Sequence, residues 1–318
     1  MADTAPLRIV FFGTPAFAVP TLEALLASRH SVVGVVTQPD RPRGRGQKTT
    51  ASPVKEAAMA ADIAVLQPQS VKEPDFASAL SALGADLAVV AAYGQILTDQ
   101  LLATPRLGMI NVHASLLPLY RGAAPVHRAI IDGQTDTGIT IMRVVRALDA
   151  GPMLGVERVP IALDQTSDEV ERDLARLGAA LLVRVTDDIA RGQTQETPQD
   201  HSLSTYAPRL TKDDGRVDWS WPASRIHNLI RGLHPWPHAT TFAGTSRLIL
   251  HRSHPFDDVS GKAPGTIIEA GADHIRVATG AGTLDLLEIQ AEGKRPMPVR
   301  EFLAGHPLTP GAVLHPSA

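Results

Sequence analysis

An asparagine and a histidine stand two positions apart at the end of an apolar run in INVHASLLPLYRG, residues 110–122. In an extended strand, residues i and i+2 face the same side, so Asn111 and His113 project together. At the carboxyl end of a parallel strand, this pair could donate hydrogen bonds to an oxyanion that develops on an acyl carbon. The same side chains could instead cap backbone groups of the following loop, and the spacing alone does not distinguish the two roles.

A carboxylate that could work with this pair follows an alternating apolar segment farther along the chain. Asp149 precedes Gly151 and Pro152 in GITIMRVVRALDAGPM, residues 138–153. If the fold brings the two segments together, Asp149 would hold the ring of His113. An aspartate before a turn is also an ordinary turn residue, so both readings stay open at this point.

The elements that must position these side chains alternate between strand and helix in the first half of the chain. Apolar runs of strand length occupy 7–12, 31–37, 86–91 and 109–113, and segments with helical spacing lie between them at 21–28, 53–61 and 73–83. This alternation predicts a doubly wound, mostly parallel α/β sheet with helices on both faces. A longer helix at 166–190 is predicted from a capping box at Thr166 and Glu169 and an apolar stripe that ends at Arg191 and Gly192.

The chain changes character after residue 192. Residues 193–208 are polar and lack periodicity, which predicts a linker. Short candidate strands separated by Gly and Pro turns then follow at 240–242, 247–251, 265–269, 274–279 and 283–290. Regularly spaced short strands predict a small β-barrel. The expected organisation is a catalytic domain at 1–192, a linker at 193–208 and a β-barrel domain at 209–318.

Composition and missing motifs exclude several classes of function. The chain has 318 residues, 44% of them hydrophobic, a net charge of -3 and no cysteine, so disulfides and thiolate chemistry are excluded. The turn GTPAFAVP at 13–20 lacks the G-x-G-x-x-G of nicotinamide and flavin sites, and no ATP-binding phosphate loop or metal-ligand spacing occurs. No window approaches the ~18 apolar residues that span a bilayer. We expect a cytoplasmic protein without a metal.

The most basic segment is PDRPRGRGQKT, residues 39–49. Its cations stand among prolines and glycines without an apolar stripe: Arg41, Arg43, Arg45 and Lys48. Such a composition suits a flexible arm that engages phosphates, although a solvated surface loop has the same composition.

This chain resembles the active-site signature of folate-dependent formyltransferases at the polar pair Asn111 and His113, in SLLPLYRG at 115–122 and at Asp149. GTPAF at 13–17, AYGQIL at 92–97 and the basic segment narrow the resemblance to the methionyl-tRNA formyltransferase family, over essentially the whole chain. The resemblance implies a Rossmann-like formyltransferase domain followed by an OB-like β-barrel. It also implies transfer of a formyl group from 10-formyltetrahydrofolate to the α-amino group of methionyl initiator tRNA, which prepares this tRNA for translation initiation.

The resemblance further implies a role for each matching residue. Asn111 and His113 would bind the formyl oxygen, and Asp149 would orient and charge His113 and help to relay a proton. The folate would lie against residues of two loops: Ser115, Leu116, Leu117, Pro118, Ile96 and Leu97. Phe17 would pack near the methionine side chain. The basic segment, through Arg41, Arg43, Arg45 and Lys48, would reach the acceptor stem of the tRNA. We expect a monomer.

Two alternatives stay open on the sequence. A sugar-nucleotide N-formyltransferase would carry the same Asn, His and Asp with a different amine as its substrate. A non-catalytic RNA- or folate-binding module would keep the fold without the reaction. The basic segment and the downstream barrel favour tRNA, and the intact polar set favours an enzyme.

Overall fold

The structure is a computed structural model that describes residues 5–43 and 48–317. Contacts within it divide the chain into two units. The first unit takes in residues up to Gly122 together with 138–159 and 171–206, and the second takes in 123–137, 160–170 and the residues from Ala207 onward. Two segments of the N-terminal half therefore group with the C-terminal strands.

The first unit is built on a sheet whose strands are rich in Val, Ile and Phe. The strands of this half of the chain are β1 Arg8–Gly13, β2 Ser31–Val36, β3 Arg41–Arg43, β4 Lys48–Thr50, β5 Val65–Leu66, β6 Leu87–Ala91, β7 Met109–His113, β8 Arg121–Gly122, β9 Asp136–Arg143 and β10 Met153–Pro160. The sheet has the order β10-β9-β7-β6-β1-β2-β5. The pairs from β5 to β7 are parallel, and β9 runs antiparallel to β7. Because the chain winds away from β1 in both directions, the predicted doubly wound sheet is confirmed.

Helices cover this sheet and contribute to the second unit. They are α1 Val19–Leu26, α2 Pro53–Ala60, α3 Pro74–Ala82, α4 Asp99–Leu102, α5 Pro125–Ile131, α6 Ser167–Arg191, α7 Ala223–Gly232 and α8 Val299–Gly305. Helix α6 begins and ends one residue later than predicted. The carboxylate of Glu169 accepts a hydrogen bond from the backbone of Thr166 at 2.8 Å, and Gly192, at φ +67, follows the last turn. None of the described helices is long and apolar enough to cross a membrane.

The second unit contains an antiparallel sheet. Its strands and the short strand before them are β11 Tyr206–Ala207, β12 Ala239–Ala243, β13 Ser246–Phe256, β14 Ile267–Ala270, β15 Ile275–Ala278, β16 Thr283–Ala291, β17 Met297–Pro298 and β18 Leu314–His315. The sheet has the order β14-β15-β16-β13-β12-β18, with β17 on β16. Register shifts between Leu250 and Ser253 mark bulges in β13, and bulges bend a strand. The predicted OB-like barrel domain is confirmed as a curled antiparallel half-barrel.

Helices α5 and α7 of this unit were not predicted. A β-carbon added to Gly232 on α7 would lie 2.7 Å from the side chain of Ile131 on α5. His127 Nδ1 donates to the carbonyl of Gly232 at 2.7 Å. This close approach joins α5 to the C-terminal unit, because a larger residue than glycine would separate the two helices.

Candidate active site

The polar pair lies at the carboxyl end of β7, between β6 and β9. Asn111 pairs with Val90 of β6 and with Met142 of β9, and His113 pairs with Thr140. Strand alternation places Asn111 and His113 on one face of the sheet. Asn111 is half-buried, and His113 is only 5% exposed. The end of a central strand therefore presents an amide and an imidazole side by side, as the sequence predicted.

Both ring nitrogens of His113 face an oxygen atom. Nε2 lies 2.9 Å from the backbone oxygen of Tyr120. A carbonyl oxygen can only accept, so Nε2 carries a proton and the ring is a donor at this position. Nδ1 faces Oδ2 of Asp149 at 3.7 Å, which is longer than a hydrogen bond but within the reach of an ion pair. The structure thus brings His113 and Asp149 together, and Nδ1 is the atom through which the ring can act.

Asp149 sits in an unusual backbone conformation. Its φ of +46 is in the left-handed region, which costs a non-glycine residue about 1–3 kcal/mol. Its Oδ2 accepts a hydrogen bond from the backbone of Gly122 at 2.9 Å. Two residues on, a side chain at Gly151 would collide with the carbonyl oxygen of Arg143. The glycine is therefore required by the close approach of the Arg143 carbonyl to the backbone just before β10.

The loop after His113 is closed by its own hydrogen bonds. Ser115 is fully buried, and its hydroxyl donates to the carbonyl of Leu119 at 2.6 Å. The hydroxyl of Thr140 donates to the carbonyl of Ser115 at 2.7 Å, and the backbone of Leu117 donates to the same hydroxyl at 3.2 Å. The hydroxyl of Ser115 is thus hydrogen-bonded within the loop. Leu116 and Pro118 are half-buried and therefore more exposed than Ser115.

Exposed apolar side chains stand in the loops around this site. Ile96, after β6, is 81% exposed, and Leu148, beside Asp149, is 54% exposed. Leu97 is partly buried against the core. Arg146 Nη1 lies 3.6 Å from Asp99 Oδ2, so the loops that carry Ile96 and Leu148 are neighbours. Small-molecule sites commonly combine such apolar side chains with a few polar groups.

The loops after β1, β2 and β6 meet at one carbonyl group. The oxygen of Tyr93 accepts hydrogen bonds from the hydroxyl of Thr14 and from Nε2 of Gln38, both at 3.2 Å. The backbone of Gln38 donates to the hydroxyl of Thr14 at 3.3 Å. Thr14 belongs to GTPAF, Tyr93 belongs to AYGQIL, and Gln38 directly precedes the basic segment, so these parts of the chain contact one another. Phe17 is half-buried in a 3-10 turn at Ala16–Ala18 of the same loop.

Tyr93 itself was not singled out from the sequence. Its ring packs edge-on against Phe12 at 5.4 Å between centroids. Among the described residues its hydroxyl has no hydrogen-bond partner, and burial raises the pKa of Tyr93 to about 12. The hydroxyl therefore stays neutral at physiological pH. An aromatic residue next to an apolar strand is common, so the sequence pattern does not distinguish Tyr93 from an ordinary core residue.

The basic segment begins as a short hairpin. β3 pairs with β4 in antiparallel register, Arg41 opposite Thr50 and Arg43 opposite Lys48. Arg41 is exposed, and Arg45 lies outside the described residues. At the base, Lys55 Nζ lies 2.6 Å from the carboxylate of Asp40.

The contacts at this base stabilise the negative charge of Asp40. The hydrogen bond from Lys55 lowers the pKa of the Asp40 carboxyl, and a second hydrogen bond from Gln67 at 2.7 Å adds to the effect. The ion pair of Lys55 and Asp40 thus stabilises the start of the basic segment. Arg41, the next residue, is exposed.

One contributor to the site lies in the segment that the sequence predicted as a linker. Gln199 is 6% exposed, and its amide contacts the backbone of Asp149 at 3.0 Å. Local composition could not reveal this residue, because its neighbours are polar and exposed and no periodicity marks one of them as buried.

Comparison with known families covers nearly the whole chain. The sequence model of the formyl transferase family matches residues 7–186, and the model of the formyl transferase C-terminal domain matches residues 209–307. A solved sugar 3N-formyl transferase, crystallised in the presence of dTDP and 5-N-formyl-THF, superposes with a TM-score of 0.69 at 16% identity. That superposition covers 91% of this chain and 99% of the other. At this identity the likeness shows the fold alone.

Two curated relatives are much closer in sequence. The methionyl-tRNA formyltransferase of Moorella thermoacetica is 43% identical over 308 residues, which cover 97% of this chain and 99% of the relative. The methionyl-tRNA formyltransferase of Trichlorobacter lovleyi is 48% identical over 309 residues, which cover 97% of each chain. With two family models in the expected order and relatives that align from end to end, the chain belongs to the methionyl-tRNA formyltransferase family of formyl transferases.

Proposed function

We propose that this chain transfers the formyl group of 10-formyltetrahydrofolate to the α-amino group of methionyl initiator tRNA, which yields formylmethionyl-tRNA for translation initiation. The observation that carries the proposal is the meeting of His113 and Asp149 beside Asn111, at the end of β7, in a chain that aligns end to end with methionyl-tRNA formyltransferases. We propose that the reaction takes place in the cytoplasm, where aminoacyl-tRNA serves translation. A monomer suffices, because one chain supplies all of these side chains.

The polar residues have distinct roles in this proposal. The attack of an amine on a formyl carbon moves negative charge onto the formyl oxygen. The Asn111 amide and His113 Nδ1 are donors that stabilise this charge, and one such donor typically contributes ~3 kcal/mol to lowering the barrier. Since Nε2 is engaged by Tyr120, His113 acts through Nδ1. Asp149 stabilises the imidazolium form and assists the movement of a proton from the amine to the departing folate nitrogen.

Residues around the polar set would bind the two substrates. Exposed Ile96 and half-buried Leu116 and Pro118 would offer apolar surface to the flat ring of the folate. The more buried Ser115 and Leu117, and the partly buried Leu97, would complete this site. Phe17 would pack near the methionine side chain of the substrate. The described residues contain no cluster of three or more metal-ligating side chains, and the proposed steps use only these protein groups.

The basic segment supplies the contact to tRNA in this proposal. Arg41, Arg43, Arg45 and Lys48 would bind phosphates of the acceptor stem as a patch on a chain that is otherwise close to neutral. In this proposal residues 1–192 form the catalytic domain, residues 193–208 the linker and residues 209–318 the tRNA-contacting domain.

The direct test is an assay with purified protein, 10-formyltetrahydrofolate and charged tRNA, in which tetrahydrofolate release and formylmethionine are both measured. Initiator methionyl-tRNA should be formylated, and uncharged tRNA is the matched control. Turnover of an amino-sugar nucleotide, with none of charged tRNA, would instead support a sugar N-formyltransferase. Binding of tRNA without release of tetrahydrofolate would support a binding module.

A further inference from the structure

The segment between α6 and β11 contains one buried polar side chain, and it points at the site. Gln199 is 6% exposed, whereas Pro198 and Asp200 on either side are exposed. Burial of a glutamine is costly unless its amide is fully hydrogen-bonded. The environment of this amide therefore indicates what the residue does.

Both ends of the Gln199 amide are satisfied. Nε2 donates to the backbone oxygens of Asp149 at 3.0 Å and of Gly151 at 2.7 Å. Oε1 accepts from the guanidinium of Arg121, from Nε at 3.1 Å and from Nη2 at 2.6 Å. The amide orientation is unambiguous, because the opposite one would turn its donor toward the guanidinium and its oxygen toward two carbonyls. Gln199 thus joins the loop of Asp149 to the loop that precedes Gly122.

The same segment reaches the other partner of His113. The hydroxyl of Thr205 accepts a hydrogen bond from the backbone of Tyr120 at 2.8 Å, and the carbonyl of Thr205 accepts from the backbone of Arg121 at 2.9 Å. Tyr120 is the residue whose carbonyl binds His113 Nε2. Residues 199–205 therefore contact the backbone of both residues that hold the imidazole.

Both of these residues have strained backbones. Tyr120 has a φ of +58 and Asp149 a φ of +46, and neither is a glycine. Such conformations persist only where the surrounding structure holds them. If either loop relaxed, the carbonyl at Nε2 or the carboxylate at Nδ1 would move away from the ring.

We propose that Gln199 is a positioning residue for formyl transfer, which, with Thr205, holds Asp149 and Tyr120 in the geometry that orients His113. This inference rests on the proposed function of Asp149 and His113. Neither Gln199 nor Thr205 needs to touch a substrate. Substitution of either residue should therefore lower kcat and leave the binding of both substrates unchanged.

The test compares Gln199→Glu with Gln195→Glu. The first substitution keeps size and the acceptor for Arg121, but places a carboxylate against two carbonyl oxygens. The second makes the same change at an exposed position of the same segment. For Gln199→Glu we expect kcat to fall about 10- to 100-fold, as a small misplacement of a reacting group does, with unchanged KM for methionyl-tRNA and for the folate. Gln195→Glu should match the wild type.

A second readout does not depend on activity. The ring nitrogen resonances of His113, assigned with His113→Asn in ¹⁵N-histidine-labelled protein, should shift in Gln199→Glu and stay in place in Gln195→Glu. Thr205→Val removes the hydroxyl that Tyr120 uses and should move the same resonances, while Thr205→Ser should restore them. If Gln199→Glu does not fold, the Thr205 pair carries the test.

The outcomes separate the two proposals. Wild-type kcat with unmoved His113 resonances in Gln199→Glu would overturn the positioning role. A loss of kcat that accompanies a lower melting temperature, with unmoved resonances, overturns it as well, since the residue then acts only on stability. A wild-type protein that does not formylate methionyl-tRNA refutes the proposed function, and in that case the His113 resonances still decide whether Gln199 positions the ring.

Discussion

Replacement of Asp149 by asparagine removes a charge and leaves the geometry in place. The same atom, Oδ2, accepts the hydrogen bond of Gly122 at 2.9 Å and faces His113 Nδ1 at 3.7 Å. The backbone donor of Gly122 requires an oxygen there, so the amide oxygen of the variant should occupy this position and the NH2 group should point away. Asp149→Asn therefore tests the carboxylate charge with little change in shape.

The magnitude follows from the distance and the burial. The two side chains are 6% and 13% exposed, so solvent screening is limited. At 3.7 Å and an effective dielectric constant of ~20, a carboxylate and an imidazolium attract one another by about 4.5 kcal/mol. The amide dipole retains part of this attraction. We expect kcat to fall by about 10²- to 10³-fold, while the dissociation constant of the folate changes little, because the charge is needed as the barrier is crossed.

The assay is the steady-state release of tetrahydrofolate at saturating methionyl-tRNA, with folate affinity measured separately by titration. Asp188→Asn is the matched control, because it breaks an exposed pair with Arg191 on α6 at 3.3 Å, and exposed pairs contribute little. Near-normal kcat in Asp149→Asn would refute the view that His113 works as a charged donor. A weaker folate affinity with unchanged kcat would also refute it, since the carboxylate would then serve binding alone.

Three further predictions concern the turn, the barrel and the basic segment. Gly151→Ala should lower stability by about 1–3 kcal/mol, because the added methyl group meets the carbonyl of Arg143; an unchanged thermal midpoint would contradict this. Burial, followed by the positive charge of neighbouring histidines, lowers the pKa of His238 from 6.5 to about 4. The unfolded chain therefore binds this proton more tightly, so stability is full above pH 6.5 and declines as the pH falls toward 4. His238→Gln should flatten this part of the curve of urea midpoint against pH, and exposed His315→Gln should not. Arg41→Ala should reduce the slope of log tRNA affinity against log salt by about one, and an unchanged slope would show that Arg41 makes no phosphate contact.

The fold was predictable where each element carries its own signal. Helix α6 lies within one residue of its predicted bounds, because its caps and its apolar stripe are local features of the chain. Strand β13 extends to Phe256, well past the predicted end at His251. Its additional residues include Pro255, which favours termination, yet pairing with β16 continues through Leu284 opposite Pro255. Long-range pairing thus outweighed the local signal.

Helix α5 escaped prediction for a related reason. It has only seven residues, and it packs against α7 across Gly232. A short helix has little stability of its own, and tertiary packing supplies the rest. No pattern within residues 125–131 distinguishes a packed helix from a loop.

The sequence by itself determined the chemistry that is available here: an amide and an imidazole on one face of a strand end, a carboxylate before a glycine turn, and no thiol. These follow from residue type and from the two-residue repeat of a strand, which are local properties. Only the tertiary structure decided that Asp149 reaches Nδ1 of His113, that Tyr120 takes Nε2, and that Gln199 joins their loops. The contacts of Asp149 with His113 and of Gln199 with Asp149 join residues far apart along the chain. Tyr120 and Asp149 also have backbone conformations that are unfavourable in isolation, so the packed fold alone can hold them.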